Sequence, residues 1–526
     1  MKDTKNGTIK SDVRRGLWRA KPRSFLKIGK EDLPRIPILL TAGFISALFI
    51  LERLDIEQLL GGFLLASLLL FILYKDIMRY KPAFIKNYNM LLLFCLILIF
   101  TLFIGRVFSY LLYDLSKGAG IIPTEGAIYG MPLPAGAMLV ALLFDFHTAI
   151  TFSFTISVLA SLWLHDASYT IYAFVGSLTA AFSVIRCKKR SALLWGGLSV
   201  IVVNVFTVLI LFLFEGNLFT SQALSSVTFA AFAGLSVSAI VSLLLPILES
   251  IFHVTTDISL LELLDLNQPV IRNLMVAAPG TYHHSVIVGN LVESAAEAVG
   301  VNPLLARVSS YYHDVGKIKM SEYFVENQTG TVSKHERLTP HMSSMIIVNH
   351  VKEGVEIAKQ IKVPQPIIDI IQQHHGTSLM TYFYQKAKEQ GTNTLPSEEE
   401  YRYPGPKPQT RVAALVMMAD AVEAASRVLT DPTPARIASL VERIINHIFL
   451  DGQLDECELT LKDIQEVKKC FTYILTGILH KRVDYPGFDF TDEGLYKEPA
   501  KVNKGKSKET KKTPEEGTHS PRSAKV

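Results

Sequence analysis

Residues 302–317, NPLLARVSSYYHDVGK, decide how the chain reads. Asn302-Pro303 is a helix start: an N-cap side chain followed by a proline whose missing N–H costs nothing in the first turn. Apolar residues then recur at three- and four-residue spacing from Leu304 to Tyr312, the pattern of a helix with one buried face. That helix ends in His313-Asp314-Val315-Gly316-Lys317, so an imidazole, a carboxylate and an ammonium leave one apolar element together.

The same helical spacing returns in residues 258–266, 285–299, 342–351 and 437–448. Breaks fall at Pro279-Gly280-Thr281, at Asn302-Pro303, and at Pro364 and Pro366. Alternating strand patterns are scarce, so the soluble part is expected to be all-α. Of fourteen histidines, eight lie between positions 283 and 375: His283, His284, His313, His335, His341, His350, His374 and His375. A lone buried histidine is ordinarily a satisfied core residue. His-His and His-Asp pairs on helices tens of residues apart instead resemble a metal site, and imidazole with carboxylate suits Mn, Fe or Zn. The four cysteines show neither a disulfide framework nor a zinc spacing.

Upstream the composition changes. Apolar residues make up 49% of the chain, and they are concentrated in residues 36–252. A crossing helix needs roughly 20 apolar residues, and eight candidate spans follow: 36–51, 58–74, 90–108, 127–146, 147–164, 168–185, 192–214 and 224–252. The fourth and fifth run together. The leader, residues 1–35, holds eleven Lys or Arg against four acids, and reads as a retained cytosolic flank rather than a cleaved signal. Lys75, Arg79, Lys81 and Lys86 follow the second span, and Arg186, Lys188, Lys189 and Arg190 the sixth, whereas Glu52, Asp55, Glu57 and Glu215 mark the opposite side. Positive charge accumulates inside, which puts both termini and everything after Phe252 in the cytosol. Arg106, Asp145 and Asn204 near the spans are expected to anchor or cross-link helices rather than form a relay.

The sequence of motifs carries a resemblance. LLELLDLNQPVIRNLMVAAPGTYHHS, NPLLARVSSYYHDVGK, YFVENQ, IIDIIQQHHGTSLMTYFYQKA, YRYPGPKPQTR, MADAVEAASR and DGQLDECELTLKDI are similar to the seven-transmembrane HD family of PgpH-type cyclic-di-AMP phosphodiesterases, over roughly residues 257–486. The resemblance implies a polytopic helical membrane domain (36–252) followed by a cytosolic all-α HD phosphohydrolase domain (257–486) in a bacterial inner membrane. It implies two divalent transition-metal ions, Mn or Fe, one held by His284, His313, Asp314 and Asp420, the other by Asp314, His350, His374 and His375, with Asp314 bridging. Asp314 and Lys317 are then the catalytic residues, Lys317 stabilising phosphoryl charge. From residue chemistry alone, Arg402, Tyr403 and Lys407 in a proline-framed loop suit phosphate pairing and base stacking, or else the prolines merely return the chain to the helix of Asp420.

One departure matters. Family members place a large extracellular domain after the first span, where this chain has only residues 52–57, so a signal is expected through the membrane helices or the cytosolic face. The tail, residues 497–526, is charged and expected to be disordered. The reaction implied is hydrolysis of cyclic di-AMP to linear pApA. A cyclic-di-GMP enzyme would carry a Gly-Tyr-Pro triplet that His374-His375-Gly376-Thr377-Ser378-Leu379 lacks, and a non-catalytic nucleotide receptor need not retain every ligand. Expected partners are a cyclic dinucleotide and the lipid bilayer, not a nucleic-acid polymer; a homodimer stays open.

Overall fold

The structure, a computed structural model, describes residues 32–479 apart from 52–54, 81–86, 120–123, 186, 188, 329–332 and 391–395. Most of the basic leader, the charged tail and part of the basic loops lie outside the described residues. Among the described residues no strand forms; one isolated antiparallel bridge joins Leu379 to Arg402. The fold is all-α, as the spacing predicts.

In the first half, α1 (Ile36–Ile50), α2 (Ile56–Tyr80) and α3 (Tyr88–Ala119) precede a 3-10 turn (Thr124–Gly130) and α4 (Pro134–Leu143). They are followed by α5 (Phe146–Leu164), α6 (Ala167–Ser183), α7 (Ala192–Phe214) and α8 (Ser221–Phe252). Among the described residues six stretches are long and apolar enough to cross a membrane, one of them the turn-plus-helix stretch Thr124–Leu143. Two further apolar helices, α1 with 15 residues and α6 with 17, are shorter. Leu60, Leu64 and Leu68 on α2 stay more than half exposed, an apolar stripe that suits lipid.

The fourth expected span, residues 127–146, is not one helix. Its chain makes the 3-10 turn, passes Met131-Pro132 and then enters α4, whose ten residues reach about 15 Å, half the hydrocarbon core. Irregular backbone survives at such depth only inside protein, and this stretch is 83% buried against 17% for α2. Two tyrosines of α6 take up the freed carbonyls: Tyr169 Oη donates to Ile128 O (3.1 Å) and Tyr172 Oη to Tyr129 O (2.5 Å). Asn204 Nδ2 donates to Tyr172 Oη at 3.1 Å. Arg106 donates to the Phe49 carbonyl at 2.8 Å, and Asp145 caps α5 through the Thr148 N–H at 2.9 Å. The three polar residues singled out in the sequence thus tie helices and their ends together.

The second half comprises α9 (Asp257–Leu263), α10 (Pro269–Ala277), α11 (Pro279–Val299), α12 (Pro303–Tyr312), α13 (Pro340–Gln360), α14 (Gln365–Gln373), α15 (Thr381–Gln390), α16 (Arg411–Ser426), α17 (Pro434–Leu450) and α18 (Leu461–Ile478). Val308, Tyr312, Ile367 and Ile371 belong to one buried apolar cluster formed within residues 260–371. The expected start at Asn302 forms, its side chain accepting from the Leu305 N–H, and Thr339 and Thr410 cap α13 and α16 in the same way.

The two halves meet at Arg190, in the loop between α6 and α7. Its guanidinium takes Glu262 of α9 in a forked contact (2.6 and 3.1 Å) and Glu249 of α8 at 3.2 Å. The Glu262 side is exposed, so the cluster is worth about 1 kcal/mol rather than the energy of a buried pair. Arg190→Glu brings three carboxylates together and is expected to lower the unfolding temperature of the purified chain. Adding Glu262→Arg should restore part of the loss; no restoration in a thermal scan would show that the contact is incidental.

Candidate metal centre

Five elements bring the ligand candidates together. His284 comes from α11, His313 and Asp314 from the end of α12, His350 from α13, His374-His375 from just past α14, and Asp420 from α16. Gly316 explains why the His-Asp turn sits against α13: a Cβ there would lie 1.9 Å from the His350 carbonyl, so only glycine allows the approach. Gly376, with φ +51°, lets the chain turn directly after the histidine pair.

The side chains form two groups whose ligand atoms lie within 4.8 Å of one another: Asp314, His350, His374 and His375 in one, His284, His313 and Asp420 in the other. Asp314 joins them. Its Oδ1 is 3.3 Å from His350 Nε2 and 3.7 Å from His374 Nε2, while Oδ2 is 3.3 Å from His313 Nε2 and 3.8 Å from His284 Nε2. All seven residues proposed as ligands from the sequence therefore converge.

Ring orientation favours a metal. His313 and His374 turn Nδ1 to the carbonyl three residues back, each at 2.7 Å, and His350 does likewise, so each Nε2 points inward. His284 Nδ1 is held by Glu423, a carboxylate–imidazole pair of the kind that orients ligating histidines. Glu423 was not singled out in the sequence; it sits one helical turn after Asp420, the only local signal available. The Nε2 atom of His313 is buried without a hydrogen-bond partner, that of His284 faces Asp420 Oδ1 at 2.9 Å, and neither Asp314 oxygen has an aligned donor. Orphaned polar atoms of this number are costly unless an ion takes them up, and the donor set fits divalent transition metals.

Charge is prearranged. Burial would raise the Asp314 carboxyl, yet Lys317 and His313 hold it well below the usual carboxylate range. Asp420 is depressed against its burial by the hydrogen bond and charge of His284. Burial pushes His350 down to about 3 and His375 well below its ordinary value, keeping both rings neutral. Burial acts the same way on His284, but Asp420 and Glu423 outweigh it and raise that ring to about 10. Lys317 is no solvated lysine: its Nζ lies 2.7 Å from Asp314 Oδ2 and 2.9 Å from Glu326 Oε1.

Of the loop residues proposed to bind substrate, Tyr403 reaches the centre, its ring stacked on His375 at 4.2 Å. Arg402 is engaged otherwise, donating to Thr377 O at 2.8 Å and pairing with Glu398 and Asp451. Lys407 lies 3.5 Å from Asp455. Among the remaining histidines, His335 contacts the Tyr323 carbonyl through Nε2, and His283 and His341 pack against Tyr282 and Tyr401.

This centre lies in the part of the chain, residues 281–425, that matches the HD domain family. Residues 56–256 match the family described as a 7TM receptor with intracellular HD hydrolase. The chain is thus similar to membrane-spanning HD hydrolases along residues 56–256 and 281–425.

Its relatives include the cyclic-di-AMP phosphodiesterase PgpH of Bacillus subtilis (strain 168), 39% identical over 366 residues, which are 68% of this chain and 51% of that protein. PgpH of Listeria monocytogenes serotype 1/2a is 42% identical over 326 residues, 61% of this chain and 45% of that one. The crystal structure of the L. monocytogenes PgpH HD domain is 48% identical, covers 41% of this chain and 100% of that chain, and superposes with a TM-score of 0.39. The chain spans about half the length of the curated relatives it matches.

The charge pattern sets a pH dependence. Near neutral pH His284, with its value raised to about 10, carries a proton that an entering cation must displace, whereas His350, at about 3, carries none. Affinity of the His284 group should rise about tenfold per pH unit below that value, and loading the whole chain should release close to one proton. Calorimetric titration with Mn in two buffers of different ionisation enthalpy measures it; release of no proton would contradict the charge assignment.

Proposed function

We propose that the chain is a membrane-anchored phosphodiesterase that hydrolyses cyclic di-AMP to linear pApA with two divalent cations, Mn or Fe. The observation that carries the reading is the meeting of the two ligand groups on Asp314 beside Lys317. His284, His313, Asp314 and Asp420 would hold one cation, and Asp314, His350, His374 and His375 the other. Bound in this way, divalent cations supply Lewis acidity to a phosphoryl oxygen and activate water at neutral pH.

The chain's own groups do the rest. Lys317 puts a fixed positive charge beside Asp314, where phosphoryl negative charge develops. His375 and Asp420 keep 22% and 13% of their side chains exposed while Asp314 keeps 1%, so substrate approaches from the His375–Asp420 side. Tyr403 stands there against His375 and offers a face for a base to stack on. The substrate assignment draws on the two relatives named as cyclic-di-AMP phosphodiesterases.

Full-length protein in detergent with Mn should give a higher kcat/KM for cyclic di-AMP than for cyclic di-GMP. Equal values or the reverse order would overturn the substrate, and binding without turnover would make the chain a receptor.

We also propose that the HD domain and both termini are cytosolic. The Arg190–Glu262 contact supports this, because it sets the HD domain against a basic loop that the positive-inside rule assigns to the cytosol. Reporter fusions at positions 188 and 217 should report opposite sides, with 188 inside; export of the reporter at 188 would sink the topology.

A further inference from the structure

Glu326 is neither a ligand candidate nor part of the His-Asp signature, yet it touches both halves of the centre. Its Oε1 accepts from Lys317 Nζ at 2.9 Å and from the Thr281 hydroxyl at 3.0 Å. The neighbouring Asn327 accepts the Thr281 N–H at 3.1 Å and donates from Nδ2 to Thr281 Oγ1 at 2.9 Å. Packing is tight enough that a Cβ on Gly280 would lie 1.8 Å from the Glu326 carbonyl oxygen. Thr281 is fully buried and lies one turn before His284, while Lys317 lies one turn after Asp314. The short turn Val325–Asn327 is therefore a strut between the start of α11 and the His-Asp turn.

The consequence concerns Lys317. Its ammonium stands between two carboxylates, 2.7 Å from Asp314 and 2.9 Å from Glu326, over the Phe324 ring at 4.9 Å. An ammonium shared between two anions neutralises each only in part. Left with Asp314 alone, it would compete with cations for the one carboxylate that both ligand groups use.

We propose that Glu326 is a positioning residue for Lys317: it draws the ammonium partly off Asp314, leaving that carboxylate open to cations, and fixes the charge where the phosphoryl group binds. The second half of this inference rests on the phosphodiesterase reading; the first does not.

The test is a double-mutant cycle on the full-length protein, with Mn affinity, thermal unfolding and cyclic di-AMP turnover measured for each variant. Glu326→Gln keeps the shape and a partner for Thr281 but frees Lys317. It should weaken Mn binding about tenfold, the lower end for loss of a group supporting a ligand, and reduce turnover. Lys317→Met should not weaken Mn binding, and adding Glu326→Gln to it should leave affinity unchanged within about threefold, since no ammonium remains to be held. Unchanged affinity in Glu326→Gln, or the same loss with and without Lys317, would overturn the proposal. Should Glu326→Gln alone not fold, the comparison of Lys317→Met with the double variant decides. A wild type that shows the affinity cycle but does not hydrolyse cyclic di-AMP would sink the proposed function and leave the role of Glu326 standing.

Discussion

One buried carboxylate organises the catalytic half. Asp314 is 1% exposed and faces four imidazoles and an ammonium, so its charge is tolerable only in company. Removing one partner from such a buried pair costs about 3–5 kcal/mol, because the remaining charge is left without compensation. The fold around it follows from this demand. α12 must end at His313, Gly316 must lack a side chain for α13 to come close, and histidines must arrive from α11, α13 and the end of α14 with their Nδ1 atoms already engaged.

The membrane half solves a different version of the same problem. Buried backbone carbonyls must be satisfied where lipid offers nothing, and the enclosed turn around Tyr129 meets this with Tyr169 and Tyr172, themselves supported by Asn204. The resulting core reaches the catalytic half through α8, whose last turn carries Glu249, and through Arg190 and Glu262. Tyr312, next to His313, donates from its hydroxyl to the Leu263 carbonyl at 2.9 Å, which seats the His-Asp turn on the helix that Arg190 holds.

Much of this was legible in the sequence because it is written in local patterns. Three- and four-residue spacing gives the helices, Asn302-Pro303 gives the start of one, and the concentrated histidines point to a metal site whose seven candidate ligands the family resemblance implies. What was not legible depends on distance in space. Glu423 and Glu326 are acids like any other until folding sets one against His284 and the other between Lys317 and Thr281. Arg402 has the chemistry of a phosphate binder, but Glu398 and Asp451 occupy it in the fold. The segment 127–146 is apolar enough to suggest one span, and hydropathy carries no sign that Pro132 interrupts it inside a protein core.

The central claim is that Asp314 is shared by both ligand groups, and metal stoichiometry tests it most directly. Equilibrium Mn binding to the full-length chain should give two ions for the wild type and one for His284→Ala or His375→Ala. It should give none held tightly for Asp314→Ala, because only that carboxylate serves both groups. An Asp314→Ala protein that is folded and still binds Mn with wild-type stoichiometry would contradict the account.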